Sequence, residues 1–245
     1  PDGIPGYDLG PMSLEAALEA GADGRGAEAD AIERDGAHWI VRSAEGAVRA
    51  RAVILAPGSH IRPLGIPGEA EFAGKGVSHC ASCDAPMLRG RAVAVVGGGD
   101  AACQEALTIA GFAAQVHLLV RGSALRARPQ WQQRVAAEPK IAPRFGVAVE
   151  AIVGDAAVTG VRLAGGELLA VDAVFAYPGL MPNTGWLAGL VPLAADGRIV
   201  VDAGLRCAPP GLFAAGCARA GSSGQAAEAA ADGARAARAA HESLN

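Results

Sequence analysis

The chain has 245 residues, of which 51% are hydrophobic, and a formal net charge of −4. That length suits one large or two modest domains with a sizeable core, and the slightly acidic balance leaves no basic stripe for a nucleic-acid partner. No apolar run reaches the roughly 18 to 20 residues of a membrane span and no signal-peptide pattern opens the chain. A cytoplasmic location in a reducing compartment is therefore expected, where a close cysteine pair is more often catalytic or metal-binding than a structural staple.

In chain order, Pro1 to Met12 is rich in Gly and Pro and reads as loop. Ser13 is placed as the N-cap of a helix running to about Ala20, with Glu15 in its first turn. Short strands follow at Ala37–Arg42 and Ala47–Arg51, close enough for an antiparallel meander. A third, Ala52–Ala56, is continuously apolar, as a strand buried on both faces should be. A Gly- and Pro-rich crossing, His60 to Gly76, leads to a strand at Arg91–Val96, a glycine turn at 97–99, a helix at Ala101–Phe112 and a strand at Gln115–Val120. This βαβ unit implies a parallel sheet. A β-rich stretch from about Val147 to Ala176 turns at Gly165-Gly166, and a strand at Leu212–Ala215 and a helix from about Gln225 to His241 complete an α/β pattern.

The run Gly97-Gly98-Gly99-Asp100-Ala101-Ala102 fits G-x-G-x-x-A in the setting that gives it meaning, after a strand and at the start of a helix. Gly97 permits the tight turn, Gly99 lets the backbone approach a pyrophosphate, and Ala102 lets helix and sheet pack closely. The helix start offers unpaired N–H groups to the phosphates. A tight turn with no ligand is the alternative. An NAD site usually has Asp or Glu at the end of the next strand, but this chain has Arg121 and Arg126 and no acid. Arginine suits a 2′-phosphate, which favours NADPH; two solvated arginines on a loop are the other reading.

Cys80-Ala81-Ser82-Cys83-Asp84 has four readings. Structural zinc needs four ligands, and Cys103, Cys207, Cys217, His38, His60, His117 and His241 provide no second close pair, so no metal is expected. Haem attachment needs His where Asp84 stands. An inert pair explains the spacing poorly. A dithiol/disulfide couple remains, because two intervening residues let the sulfurs bond, and Asp84 is placed to exchange protons.

The Cys80–Asp84 motif, followed fourteen residues after Cys83 by the Gly97 turn, resembles the low-molecular-weight thioredoxin reductases. Ala56-Pro57-Gly58-Ser59, Gln104-Glu105-Ala106-Leu107, Pro178-Gly179 with Pro182-Asn183-Thr184, and Leu212–Gly216 with Gln225-Ala226 resemble further segments of that family. The resemblance implies two Rossmann-like, three-layer nucleotide-binding domains: a discontinuous FAD domain at 1–60 and 179–245, and an inserted NADPH domain at 61–178 carrying the CxxC. It implies hydride transfer from NADPH to FAD, then electron transfer to the disulfide and on to a thioredoxin-like protein or small disulfide, in a homodimer. Cys83 would face the flavin, Cys80 would attack the partner and Asp84 would manage protons. Gly179, Gly216, Cys217, Gln225 and Ala226 would lie on the flavin side. The crossings near His60 and Gly179 would be hinges for a rotation between half-reactions.

The sequence departs from the family pattern in four places. The family opens with a strand and a glycine turn for the FAD pyrophosphate, so a further N-terminal segment of about 50 residues is expected. Gly21, Gly24 and Gly26 follow a helix and do not replace that turn. Cys217 stands for an Asp, and Gly224 for an Arg. The family's H-R-R-x-x-x-R becomes Val120-Arg121-Gly122 with Arg126, which relaxes the preference for NADPH. Two other functions fit the residues: a dithiol oxidase acting on a small metabolite, and a non-enzymatic nicotinamide-binding module.

Overall fold

The computed structural model describes residue 4 and residues 6–245. The chain divides into two compact units, 1–57 with 184–245, and 58–183. It begins with helix α1 (Gly6–Glu19), then β1 (Ala29–Asp35), β2 (His38–Ser43), β3 (Gly46–Ala50) and β4 (Val53–Leu55). The second unit holds β5 (Ser59–Ile61), β6 (Val77–Ser78), α2 (Ala81–Asp84), β7 (Ala92–Val96), α3 (Asp100–Ala110), β8 (Gln115–Val120), α4 (Pro129–Ala137) and β9 (Ile141–Phe145). It continues with β10 (Val149–Gly154), β11 (Val158–Leu163), β12 (Leu168–Ala170), β13 (Ala173–Ala176) and β14 (Leu180–Pro182). The chain then re-enters the first unit with β15 (Leu212–Ala214) and α5 (Ala226–Glu242).

The second unit is built on a five-stranded parallel sheet in the order β6-β13-β7-β8-β9. Its central strand β7 is apolar throughout, and Val93, Ala94 and Val95 are fully buried, as a strand covered on both faces requires. One face packs on α3 through Ala102, Ala106 and Ile109; the other meets the antiparallel sheet β10-β11-β12 through Val161 and Leu163. The Gly165-Gly166 turn joins β11 to β12, both residues at positive φ. Strands β5 and β14 pair antiparallel, Ser59 opposite Pro182, so both crossing segments belong to this unit.

In the first unit β1, β2 and β3 form the antiparallel meander, and β4 pairs parallel with β15. Trp39 of β2 is buried against Leu55, Leu187 and Leu212, and its indole N–H donates to the Pro210 carbonyl at 3.2 Å. Helix α5 lays Ala236, Ala239 and Ala240 against Phe213. Among the described residues, no helix is long and apolar enough to cross a membrane.

Two expectations need correction. Helix α1 starts at Gly6 and runs through Pro11, so Ser13 lies inside it, with its hydroxyl donating to the Leu9 carbonyl at 2.7 Å. Gly and Pro punctuation suggested a loop here, but one proline removes only one intrahelical bond. The remainder of that loop, residues 1–3 and 5, lies outside the described residues. The strand at Ala52–Ala56 is not covered on both faces: Ile54, which points off one face of β4, is 38% exposed.

The strongest polar cluster in the first unit surrounds Asp232 of α5. This carboxylate is fully buried and accepts from Arg219 Nε and Nη2, Arg235 Nη2 and the Gly216 amide. The Arg219 hydrogen bond, more than any other cause, holds its pKa down at about 2. Asp232→Ala removes the buried partner of Arg219, leaving it Glu228 and the Ala220 carbonyl, and should lower the unfolding free energy by about 3 kcal/mol in urea titrations at neutral pH. Because the folded pKa is depressed from 3.8, this stabilisation is present above that value and is lost as pH falls towards about 2.

Candidate active site

The glycine turn sits where β7 meets α3. Gly97 has φ +147°, donates to the Leu119 carbonyl at 3.0 Å, and lies so close to Tyr177 that a Cβ would collide with its carbonyl oxygen. A Cβ on Gly98 would stand 2.8 Å from Val120 Cγ1. Gly99 differs: it is the N-cap of α3 and a Cβ there would meet nothing within 4 Å, so it faces open space. Ala102 is fully buried against the turn, and Ala101 is exposed. Asp100 is held by Arg128: its Oδ1 accepts the Arg128 amide at 2.7 Å and its Oδ2 the Arg128 Nε at 2.5 Å.

The loop after β8 folds back onto this turn, Arg126 N and Ala127 N both donating to the Gly98 carbonyl, at 2.7 and 3.2 Å. The result is a cavity of about 780 Å³ whose walls include Gly97, Gly98, Arg121, Arg126, Pro178 and Arg62. Arg62 was not expected there. It arrives through the pairing of the crossing strands, where its amide donates to the Gly179 carbonyl at 2.9 Å. Three arginines and no carboxylate line the cleft together with Gly97 and Gly98 of the glycine turn, which suits an anionic, phosphate-bearing ligand.

The cysteine pair forms a second group in the same unit. Cys80 and Cys83 are joined in a disulfide. Cys80 is the N-cap of α2 and half-buried, Cys83 is exposed, and Asp84 ends the helix half-buried. The turn is anchored from outside itself. The Cys80 amide donates to Ser78 Oγ at 3.1 Å, and His79 Nδ1 lies 3.2 Å from the Ala176 carbonyl. The Ala81 amide donates to Glu105 Oε2 at 3.0 Å, and the Tyr177 hydroxyl donates to the same oxygen at 3.3 Å. Burial, followed by the Glu105 charge, pushes the Tyr177 phenol well above its ordinary pKa, so it stays a donor.

The remaining thiols are distinguished by burial. Cys103 and Cys207 are each pushed up to about 11, chiefly by desolvation, and stay protonated at neutral pH. Cys217 is half-buried in a short turn after β15. It lies in the first unit with Gly216, at φ +76°, and with Gln225 and Ala226 at the start of α5. Gly179, also proposed for the flavin side, lies in the second unit beside Arg62. No group of three or more His, Cys, Asp or Glu among the described residues is arranged to hold a metal ion.

Residues 16–233 match the family model described as pyridine nucleotide-disulphide oxidoreductase. The thioredoxin reductase of Treponema pallidum is 39% identical over 227 residues, covering 89% of this chain and 73% of that protein. A component of the alkyl hydroperoxide reductase of Pseudomonas putida is 35% identical over 218 residues, but the chain spans only 40% of its length. Two solved thioredoxin reductases, from T. acidophilum and Lactococcus lactis, superpose with TM-scores of 0.90 at 30% and 32% identity. They match 99% and 100% of this chain and 82% and 84% of theirs.

The turn geometry separates the roles of its glycines. Gly97→Ala should cost about 2 kcal/mol or more of stability in denaturant unfolding, from the positive φ and the collision with Tyr177. Gly99→Ala should stay within about 1 kcal/mol of the parent protein, since only the N-cap preference changes.

Proposed function

The chain belongs to the pyridine nucleotide-disulphide oxidoreductase family, and on that premise we propose that it is an NADPH-dependent, FAD-containing disulfide reductase of the thioredoxin reductase type. The observation that supports this most directly is the Cys80–Cys83 disulfide in the same unit as an arginine-lined cleft over a dinucleotide turn.

The residues present fit the nicotinamide nucleotide. The open space over Gly99 and the N-terminus of α3 suit a pyrophosphate, and Arg121, Arg126 and Arg62 suit a 2′-phosphate. For the flavin nucleotide, the first turn of α5 provides backbone N–H donors, whereas the Gly216 amide is already bonded to Asp232 and Cys217 is a weaker acceptor than a carboxylate. When bound, NADPH supplies hydride and FAD relays its electron pair to the disulfide.

Reduction of Cys80–Cys83 takes two electrons and two protons and yields two thiols. Cys80 sits at the N-terminal end of α2, where the helix amides favour its thiolate. That thiolate attacks the partner's disulfide, forming a mixed disulfide and releasing one partner thiolate. Cys83 then attacks Cys80 Sγ, which re-forms the internal bond and releases the second. Asp84, at the end of the same turn, carries the protons between these steps. The partner is a thioredoxin-like protein or a small disulfide, and the reading includes a cytoplasmic homodimer.

Reconstituted with FAD, the protein should absorb in the visible, bleach on addition of NADPH, and oxidise NADPH continuously only when a disulfide is supplied. Cys80→Ser and Cys83→Ser should each abolish that turnover while flavin bleaching persists. Bleaching with unchanged turnover in both variants would defeat the assignment. Arg126→Glu should raise KM for NADPH about tenfold and leave NADH nearly unaffected.

A further inference from the structure

Helix α2 is one turn long, and a single turn does not hold itself together in water. No side chain of its own caps it; its first amide, Ala81 N–H, is instead bonded by Glu105 from the middle of α3. Ala81 is fully buried and Tyr177 nearly so, and both bond Glu105 Oε2 from a half-buried Glu105. Tyr177 is itself fixed to the dinucleotide turn, its amide donating to the Val96 carbonyl at 2.7 Å and its carbonyl lying against Gly97. The ionisable groups on this turn are His79 and Asp84 on either side of the pair, Glu105 from α3 and Tyr177 from the end of β13. Glu105 is therefore a carboxylate placed at the N-terminal end of the redox helix, on the amide next to Cys80.

Resting on the disulfide-reductase reading, we propose that Glu105 is a positioning residue for the cysteine pair. It ties the redox turn to the dinucleotide helix, and its charge opposes a thiolate on Cys80. The helix N-terminus that would stabilise that thiolate is partly neutralised by a carboxylate already bonded to Ala81 N–H. A reduced pair whose thiolate is held back is a better electron donor, because the dithiol state is less stabilised relative to the disulfide. No electron passes through Glu105. It changes how readily the two-electron, two-proton exchange between disulfide and dithiol runs towards the disulfide.

Glu105→Gln separates charge from shape, since the amide oxygen can still accept from Ala81 and Tyr177. The full chain carrying Cys83→Ser, with and without Glu105→Gln, is reduced with dithiothreitol, and Cys80 alkylation by iodoacetamide is followed across pH by peptide mass spectrometry. Glu105→Gln should raise the Cys80 rate near pH 6 about threefold or more by lowering the midpoint of its pH profile. With both cysteines intact, it should shift the pair about threefold or more towards the dithiol at equilibrium in a glutathione buffer. An unchanged midpoint and unchanged redox equilibrium in Glu105→Gln, with a native circular dichroism spectrum, would overturn the proposal. So would a change confined to Glu105→Ala, which would mark a merely structural role. These readouts need neither flavin nor partner. If, instead, Cys80 in the otherwise native chain alkylates equally before and after reduction, the disulfide-reductase reading fails first and the proposal with it.

Discussion

At the end of β7 the backbone of Gly97 runs so close to Tyr177 that the latter's carbonyl fills the place of a side chain. The approach follows from the parallel register of β7 and β13, which sets Val96 beside Ala176 and brings the two strand ends out together. On one side it turns the chain into α3, with an open position at its N-cap, Gly99. On the other it aims the Tyr177 ring at α3, where the hydroxyl meets Glu105 and, through it, the first amide of the redox turn. One close backbone contact thus sets the floor of a nucleotide-sized cavity and the footing of the disulfide. Both rest on the adjacent buried strands β7 and β13, whose rigidity comes from dense packing.

The same sheet explains why thiol chemistry is confined to one place. Cys103 lies on the buried face of α3, two residues before Glu105, and desolvation keeps it a neutral, inert side chain. Cys80 and Cys83 lie on a turn that leaves the sheet edge after β6, where Cys83 reaches solvent. Reactivity here follows from where each element leaves the core, since all the thiols start from the same intrinsic chemistry.

What could be read in the sequence was what is local. The strand–turn–helix at Gly97, the CxxC spacing and the βαβ periodicity each occupy fewer than about 30 consecutive residues and need no partner from elsewhere to be recognised. The parts that were not legible depend on distant pairing. Arg62 enters the cleft because β5 pairs with β14 across the whole inserted unit, and nothing near residue 62 signals that register. Glu105 entered only as part of the Gln104–Leu107 segment of the dinucleotide helix, and only the fold brings it to Ala81, 24 positions earlier. The first part of helix α1 was hidden by Pro11 with Gly6 and Gly10, because turn residues weigh heavily in a local reading even where a helix tolerates them.

The first unit shows how a fold can keep a turn while changing what the turn presents. Beyond β15 the chain bends at Gly216, and a carboxylate fixes that bend by accepting the Gly216 amide. The carboxylate comes from Asp232 on α5, buried and paired with Arg219 and Arg235, and not from position 217. The conformation of the turn is therefore secured from inside the unit, by groups that never leave the core. A thiol at position 217 removes an acceptor expected on the flavin side without loosening the backbone that carries it. The shape of the turn and the side chain it presents at position 217 are separable in this chain, because the shape is held by Asp232.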